Sequence, residues 1–477
     1  MLGVDAAEIS VIRGALPQLP TFRRLLEEGA HFPLRSTAEH VSASVWPSMY
    51  TGAPPGEHGI SQHIQWDPRA MRMRRIASDW IYCEPFWYDL ARAGLGVTVA
   101  DVPFTFGNRL PAAVEVSNWG SHDLMGPFVA SSPQLRRELR RRFGRHPMGY
   151  EIPVNKDSGQ LAAMRDELVA GARTKGELTA WLRDATRWDF FLSVFGECHR
   201  AGHILWRDHD QLHAHVPEGA LLDVYRAVDR ALGEVLAGVD PSTTVVVFSL
   251  HGMGPNRGQD HFVRRTLDRL HERGAAAPIP SGGAVRRLRE GVPARLQHAV
   301  ARAVPVAVRD WVVAREVTGG LDWSRTPAFA LRTDLHGFLR LNLVGRERLG
   351  LLQPGDATTQ RYVDKLLASL SALRTADTGA PILRDIVDAR AELPGARADL
   401  LPDFILRWSD HDPATRVVSQ ELGVIEGSPE RGRTGEHRYE GFAVVRGPAL
   451  GRGGLPPLAH NQDFPRFVSR LLGEAAP

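Results

Sequence analysis

A short apolar run, Phe190-Phe-Leu-Ser-Val-Phe195, closes on a glycine and is followed at once by Glu197, His199 and His203. A strand apolar on both faces must be covered on both, which is the situation of an inner strand of a parallel sheet. That places ligand-type side chains at a strand's carboxyl end. If the chain turns into a helix there, the i,i+4 histidines share one face, and both imidazoles can reach one ion. The same spacing also describes ordinary helix-surface histidines, so the pair gains meaning only from matching pieces elsewhere.

The rest of the chain repeats the strand-then-helix pattern. Candidate strands are Leu2-Gly-Val4, Gly96-Val-Thr-Val-Ala100 and Val245-Val-Val-Phe-Ser249, separated by helix-period segments such as 19–28 and 221–232. This alternation argues for an α/β fold with a mostly parallel sheet and helices on both faces. Residues 275–320, rich in Ala, Arg, Val and Gly, carry helical runs (295–303 and 306–317) and no strand signal. They read as a helical insertion or cap, dividing a catalytic α/β domain formed by 1–274 and 321–477. Further strands are expected at 328–331, 338–342 and 403–407, and a last helix at 464–472. Only four residues precede Asp5, so the first strand is either frayed or continued upstream.

Composition excludes several classes. The formal charge of +3 and the near absence of lysine (Lys156, Lys175 and Lys365 alone) reflect an arginine-rich bias and not a nucleic-acid footprint. Two cysteines, Cys83 and Cys198, make no disulfide framework. The start has no signal-peptide layout and no stretch approaches bilayer-spanning length, so a soluble, cytoplasmic protein without a membrane partner is expected. No GxGxxG joins a strand to a helix, which argues against a dinucleotide enzyme. Nothing in the residues speaks to oligomeric state.

Four further pieces bear chemistry. Asp5 ends the first apolar run, where an acid is either a metal ligand or a helix N-cap. The segment from Ser42 to Ile60 sets several hydroxyls before a Thr51-Gly52 turn and a His58-Gly59. A serine there serves as a nucleophile if a base or metal assists it, and otherwise as a cap. His251 follows the β-branched run 243–249, and His437 lies in the polar loop 433–441.

In order and in neighbouring residues these pieces resemble the alkaline phosphatase superfamily, in its type I phosphodiesterase/nucleotide pyrophosphatase branch. The resemblance runs from Gly3-Val-Asp5 through His58-Gly-Ile60, His203 to Trp206, His251-Gly-Met-Gly-Pro255, Asp322 to Thr326, Asn342 to Glu347 and Leu401-Pro-Asp-Phe404 to Gly435-Glu-His-Arg438. It implies a three-layer α/β sandwich. It also implies that Ser42 is the nucleophile, with Ser44 its near competitor. The first metal falls to His199, His203 and His437, and the second to Asp5, His251 and the Ser42 oxygen. His63 stands near the place of a phosphoryl-oxygen donor. Two positions depart from the family pattern. His199 replaces an aspartate, and Leu250 stands where a second aspartate would help hold the second metal. Glu197 and Asp260 are the acids near enough in sequence to substitute.

The expected activity is metal-dependent hydrolysis of a small-molecule phosphate ester (phosphodiester, pyrophosphate or phosphomonoester) through a phosphoseryl intermediate. Nitrogen-rich ligation favours zinc, with manganese or iron as alternatives. Leu250 keeps open a metal-depleted, non-hydrolytic binding protein, and the scaffold also admits phosphoryl or sulfuryl transfer. The Ser42 segment lacks the Cys/Ser-x-Pro-x-Arg pattern of a formylglycine sulfatase.

Overall fold

The computed structural model describes residues 1–81, 83–107, 110–122, 125–148, 156–208, 213–272, 306–319, 321–331, 335–429, 432–451 and 454–473. At its centre is an eight-stranded sheet. The strands Val245–Ser249, Leu2–Val4, Phe190–Phe195, Val97–Ala100 and Ala113–Ser117 run side by side and parallel. Antiparallel strands close both edges: Glu440–Arg446 and Ala30–Arg35 beyond Val245–Ser249, and Val129–Ala130 beyond Ala113–Ser117.

The apolar runs are continuous because both faces are covered, and the two-residue period sorts their side chains. Leu192, Val194, Val246 and Phe248 point into one cluster with Trp46, Met49, Tyr50, Trp87, Phe464 and Phe467. Phe191, Phe195, Val245 and Val247 point into another with Leu178, Leu182, Tyr225, Val228 and Leu232. The second layer is built by two long helices, Ser158–Ala185 and Ala220–Ala237. An Asp157 capping box starts the first of them, and a close approach at Gly176, where a Cβ would lie 2.8 Å from that of Ala231, brings the two together.

The first strand is not frayed. Its three residues are buried and paired on both sides, and the Met1 amine donates to the Phe191 carbonyl at 2.6 Å. The strands expected late in the chain do form, but not in the central sheet. Ala328–Leu331, Gly337–Leu341, Phe404–Trp408 and Leu383–Asp388 make a separate four-stranded antiparallel sheet, backed by the helix Ala357–Ser371. Several motif residues prove to be its internal fastening. Arg340 pairs with Glu347 at 2.7 Å, Arg346 with Asp403 at 2.7 Å, and Asn342 Nδ2 donates to the Thr326 carbonyl at 3.0 Å.

Of the insertion assigned to 275–320, the helix Val306–Thr318 is present and anchors to the hairpin strand Arg72–Arg75 through Arg75 and Asp310 at 2.7 Å. The helical run at 295–303 lies outside the described residues. Among the described residues no helix is long and apolar enough to cross a membrane.

Candidate metal centre

Asp5, His199 and His251 follow the carboxyl ends of three adjacent parallel strands, the edge where open α/β sheets place their ligands. Asp5 directly follows the first strand, its N–H still donating to the Phe195 carbonyl at 2.9 Å, and the chain turns at Ala6, whose left-handed φ of 53° is a strained conformation for a residue with a side chain. His199 and His203 sit on the helix Glu197–Leu205, all of it buried. His437 arrives from the other side, on the strand Gly435–Arg438, which pairs antiparallel with Gly252–Pro255 just beyond His251.

The imidazoles converge. His199 Nε2 lies 3.1 Å from His203 Nε2 and 3.2 Å from His437 Nε2. Two nitrogens bound to one tetrahedral zinc at ~2.0–2.1 Å would stand ~3.3 Å apart, so each of these two separations suits a shared ion. His251 joins His199 and His437, and Glu436 joins His203 and His437, in groups whose ligand atoms lie within 4.8 Å of one another. The tautomers agree with that use. His203 Nδ1 donates to the Gly435 carbonyl at 3.1 Å and His251 Nδ1 to the Gly252 carbonyl at 3.1 Å, leaving each Nε2 with its lone pair. Burial, then the His122 charge, lowers the His199 pKa to about 4. Burial also holds His203 and His437 well below the usual imidazole range. All three are therefore neutral donors at pH 7.

Asp5 is fully buried, which by itself would raise its pKa. Its interactions with His199 and His122 overcome this and hold it well below the usual carboxylate range. Its Oδ1 accepts from Trp46 Nε1 at 2.9 Å and faces His251 Nε2 at 3.7 Å; its Oδ2 faces His199 Nδ1 at 3.1 Å. Trp46 belongs to the helix Val45–Thr51, preceded by a single 3-10 turn, Ser42–Ser44. Ser42 opens that turn and is buried. Among the described residues no hydrogen bond engages Ser42 Oγ. Ser44 is committed: its Oγ donates to the Val41 carbonyl at 2.6 Å and to Thr37 Oγ1 at 2.8 Å.

Other expected residues fall elsewhere. His63 is half-buried at the start of the hairpin strand Ile64–Asp67, with its carbonyl accepting from Ile76 N at 3.0 Å, and it is not part of the histidine cluster. Glu197 turns away and pairs with His146 Nε2 at 2.9 Å, and Asp260 is exposed on a 3-10 turn. Leu250 is fully buried in the apolar core beside Trp46 and Phe248. Neither acid replaces the carboxylate missing there. A residue not anticipated from the sequence, His122, does enter the cluster. Its Nδ1 lies 2.7 Å from Asp5 Oδ2, and its ring stacks on His199 at 3.7 Å. In the sequence it follows the short strand Ala113–Ser117 and an Asn-Trp-Gly-Ser turn, a strand too weakly patterned to draw notice.

Imidazoles gathered with the buried acids Asp5 and Glu436, at the carboxyl edge of a sandwiched parallel sheet, make a site fit to hold a divalent metal, and the family that the sequence matches is one of phosphoric ester hydrolases. The chain belongs to the type I phosphodiesterase/nucleotide pyrophosphatase family, whose profile matches residues 1–329. Among solved structures it is similar to phosphonoacetate hydrolase from Sinorhizobium meliloti 1021 in complex with phosphonoformate. The identity is 16%, the TM-score 0.52, and the match covers 98% of this chain and 94% of that one. It is also similar to murine ectonucleotide pyrophosphatase/phosphodiesterase 5, at 14% identity and TM-score 0.50, over 100% of this chain and 96% of that one. At these identities the likeness is one of fold. No curated protein matches the sequence.

Proposed function

We propose that this chain hydrolyses a small phosphate ester, whether diester, pyrophosphate or monoester, with a divalent metal at the histidine cage and Ser42 as nucleophile. The observation that carries the proposal is the convergence of the His199, His203 and His437 Nε2 atoms beside buried Asp5. Five histidines against two acids, Asp5 and Glu436, favour zinc over magnesium, because imidazole nitrogen suits the softer ion. When bound, the metal supplies charge neutralisation for the phosphoryl oxygens and lowers the cost of ionising a hydroxyl.

The remaining chemistry belongs to the chain. Ser42 Oγ attacks phosphorus in line, and the ester oxygen leaves opposite it. Water then displaces the seryl oxygen, freeing phosphate from a monoester or a phosphomonoester from a diester. Asp5 stays ionised and fixes His199, while the Gly435 carbonyl fixes His203, so the donors are set before substrate arrives. Arg433 lies close enough for its charge to depress His203, adding positive potential for an anionic substrate. His63, outside the cage, is a candidate for contact with the far end of the substrate. The free thiols Cys83 and Cys198 fit a reducing, cytoplasmic setting.

The test is Ser42→Ala assayed with a chromogenic phosphodiester. Turnover should fall by ~10³-fold or more while bound metal is retained; undiminished turnover would end the serine mechanism.

A further inference from the structure

We propose that His122 is a metal ligand, taking with Asp5 the second ion that the buried Leu250 leaves short of a carboxylate. The first observation is geometric. Asp5, His122 and His199 each offer one ligand atom, and the three atoms lie within 4.8 Å of one another. The His122 Nδ1 to Asp5 Oδ2 separation is 2.7 Å. This group is distinct from the Nε2 cage. His199 spans the two, with Nε2 in the cage and Nδ1 toward Asp5.

The second observation is that the backbone leading into His122 is held in place by a buried polar framework. Asp101 accepts from Trp119 N at 2.8 Å and Gly120 N at 3.0 Å, and is itself paired with buried Lys175 at 2.8 Å. Arg200, on the same helix as His199 and His203, donates to the Ser121 carbonyl at 2.6 Å and to His146 Nδ1 at 3.2 Å. His146 in turn is paired with Glu197 at 2.9 Å. Gly196 lets the loop close in, since a Cβ there would stand 3.2 Å from the Gly120 carbonyl and 3.4 Å from His122 N. Fixing the loop 119–122 from both sides by buried charges is costly unless satisfied, and here it orients one imidazole onto a carboxylate. That is how proteins commonly orient metal ligands.

An imidazole at this point restores ligand number without restoring charge. The second ion would therefore keep more of its positive charge for the phosphate than a carboxylate-rich site would allow.

The inference rests on the metallohydrolase reading only in assigning the first ion to His199, His203 and His437. Its test is zinc content per chain after metal loading and desalting, in the wild type and in His122→Asn. Asparagine Nδ2 can keep the hydrogen bond to Asp5 but is a poor zinc ligand, so a merely structural His122 would be replaced without loss. The expected result is two zinc ions in the wild type and one in H122N. Two in both proteins overturns the role of His122 and leaves the hydrolase reading standing; none in the wild type overturns both. If H122N does not fold, anomalous diffraction from zinc-loaded wild type decides. A zinc peak ~2.0–2.1 Å from a His122 nitrogen is expected, and a loaded first site with no peak at His122 refutes the assignment.

Discussion

At the scale of single residues, Asp5 is the junction of the centre. Trp46, His122, His199 and His251 all address its two oxygens, and burial makes each of those contacts count. Trp46→Phe keeps the ring between Gly3 and Phe248 but removes the N–H bound to Asp5 Oδ1. Zinc affinity measured by competition with a chelator should weaken by about 10–100-fold, with little change in unfolding temperature. His203→Ala should remove one zinc per chain and with it turnover, as read by metal analysis beside the same chromogenic assay. The histidines of the cage were legible in the sequence because each stands directly after a β-branched or aromatic run, or in a short polar loop. His122 was not, because the strand before it, Ala113–Ser117, holds Glu115 and alternates too weakly to stand out. Burial of Glu115 depends on tertiary partners, Trp87 Nε1 at 2.8 Å and Tyr88 at 3.0 Å, which no local pattern announces.

At the scale of elements, the centre depends on how closely the hairpin Gly252–Pro255/Gly435–Arg438 can dock on the helix Glu197–Leu205. The approach is set by a glycine: a Cβ on Gly435 would fall 2.0 Å from the Gly202 carbonyl. The hairpin is tied to the helix there by Thr434 N donating to the His203 carbonyl at 2.8 Å. Gly435→Ala should therefore push His437 away from His199. A loss of about 1–3 kcal/mol in denaturant stability is expected, together with weaker zinc binding. Unchanged values for both would show that the hairpin does not set the cage. Strand positions were readable from apolar runs, but their partners were not. The runs 328–331 and 403–407 look as buried as those of the central sheet, yet they pair antiparallel with Gly337–Leu341 in a second sheet. A run of apolar side chains records burial and says nothing of which neighbour supplies it.

At the scale of the molecule, the antiparallel sheet packs against the residues just before Ser42. Val41 is buried in a cluster with Trp66, Phe338, Leu401 and Ile405, and His336 Nε2 donates to the Glu39 carbonyl at 3.0 Å. The two sheets thus meet around the segment that leads into Ser42. A second whole-molecule property is sensitivity to acid. Burial lowers the pKa of His58 to about 3 and of His261, His271 and His336 to about 4. Each has a folded-state pKa below its unfolded value near 6.5, so the unfolded chain binds protons that the folded chain does not. Stability is fully present above pH 6.5 and is lost as pH falls toward 4, by up to ~1.4 kcal/mol per pH unit per group. Denaturant titrations of chelated protein at pH 7, 5.5 and 4.5 should show this decline, and His58→Gln should make it shallower.

The central claim is that the buried histidine cage holds the metal on which phosphate-ester hydrolysis depends. Its most direct test is turnover of a chromogenic phosphodiester by chelator-stripped protein during stepwise return of zinc, with bound metal measured at each step. The account predicts negligible turnover in the stripped protein and recovery that tracks zinc bound per chain. Full turnover in protein shown to be metal-free would contradict it.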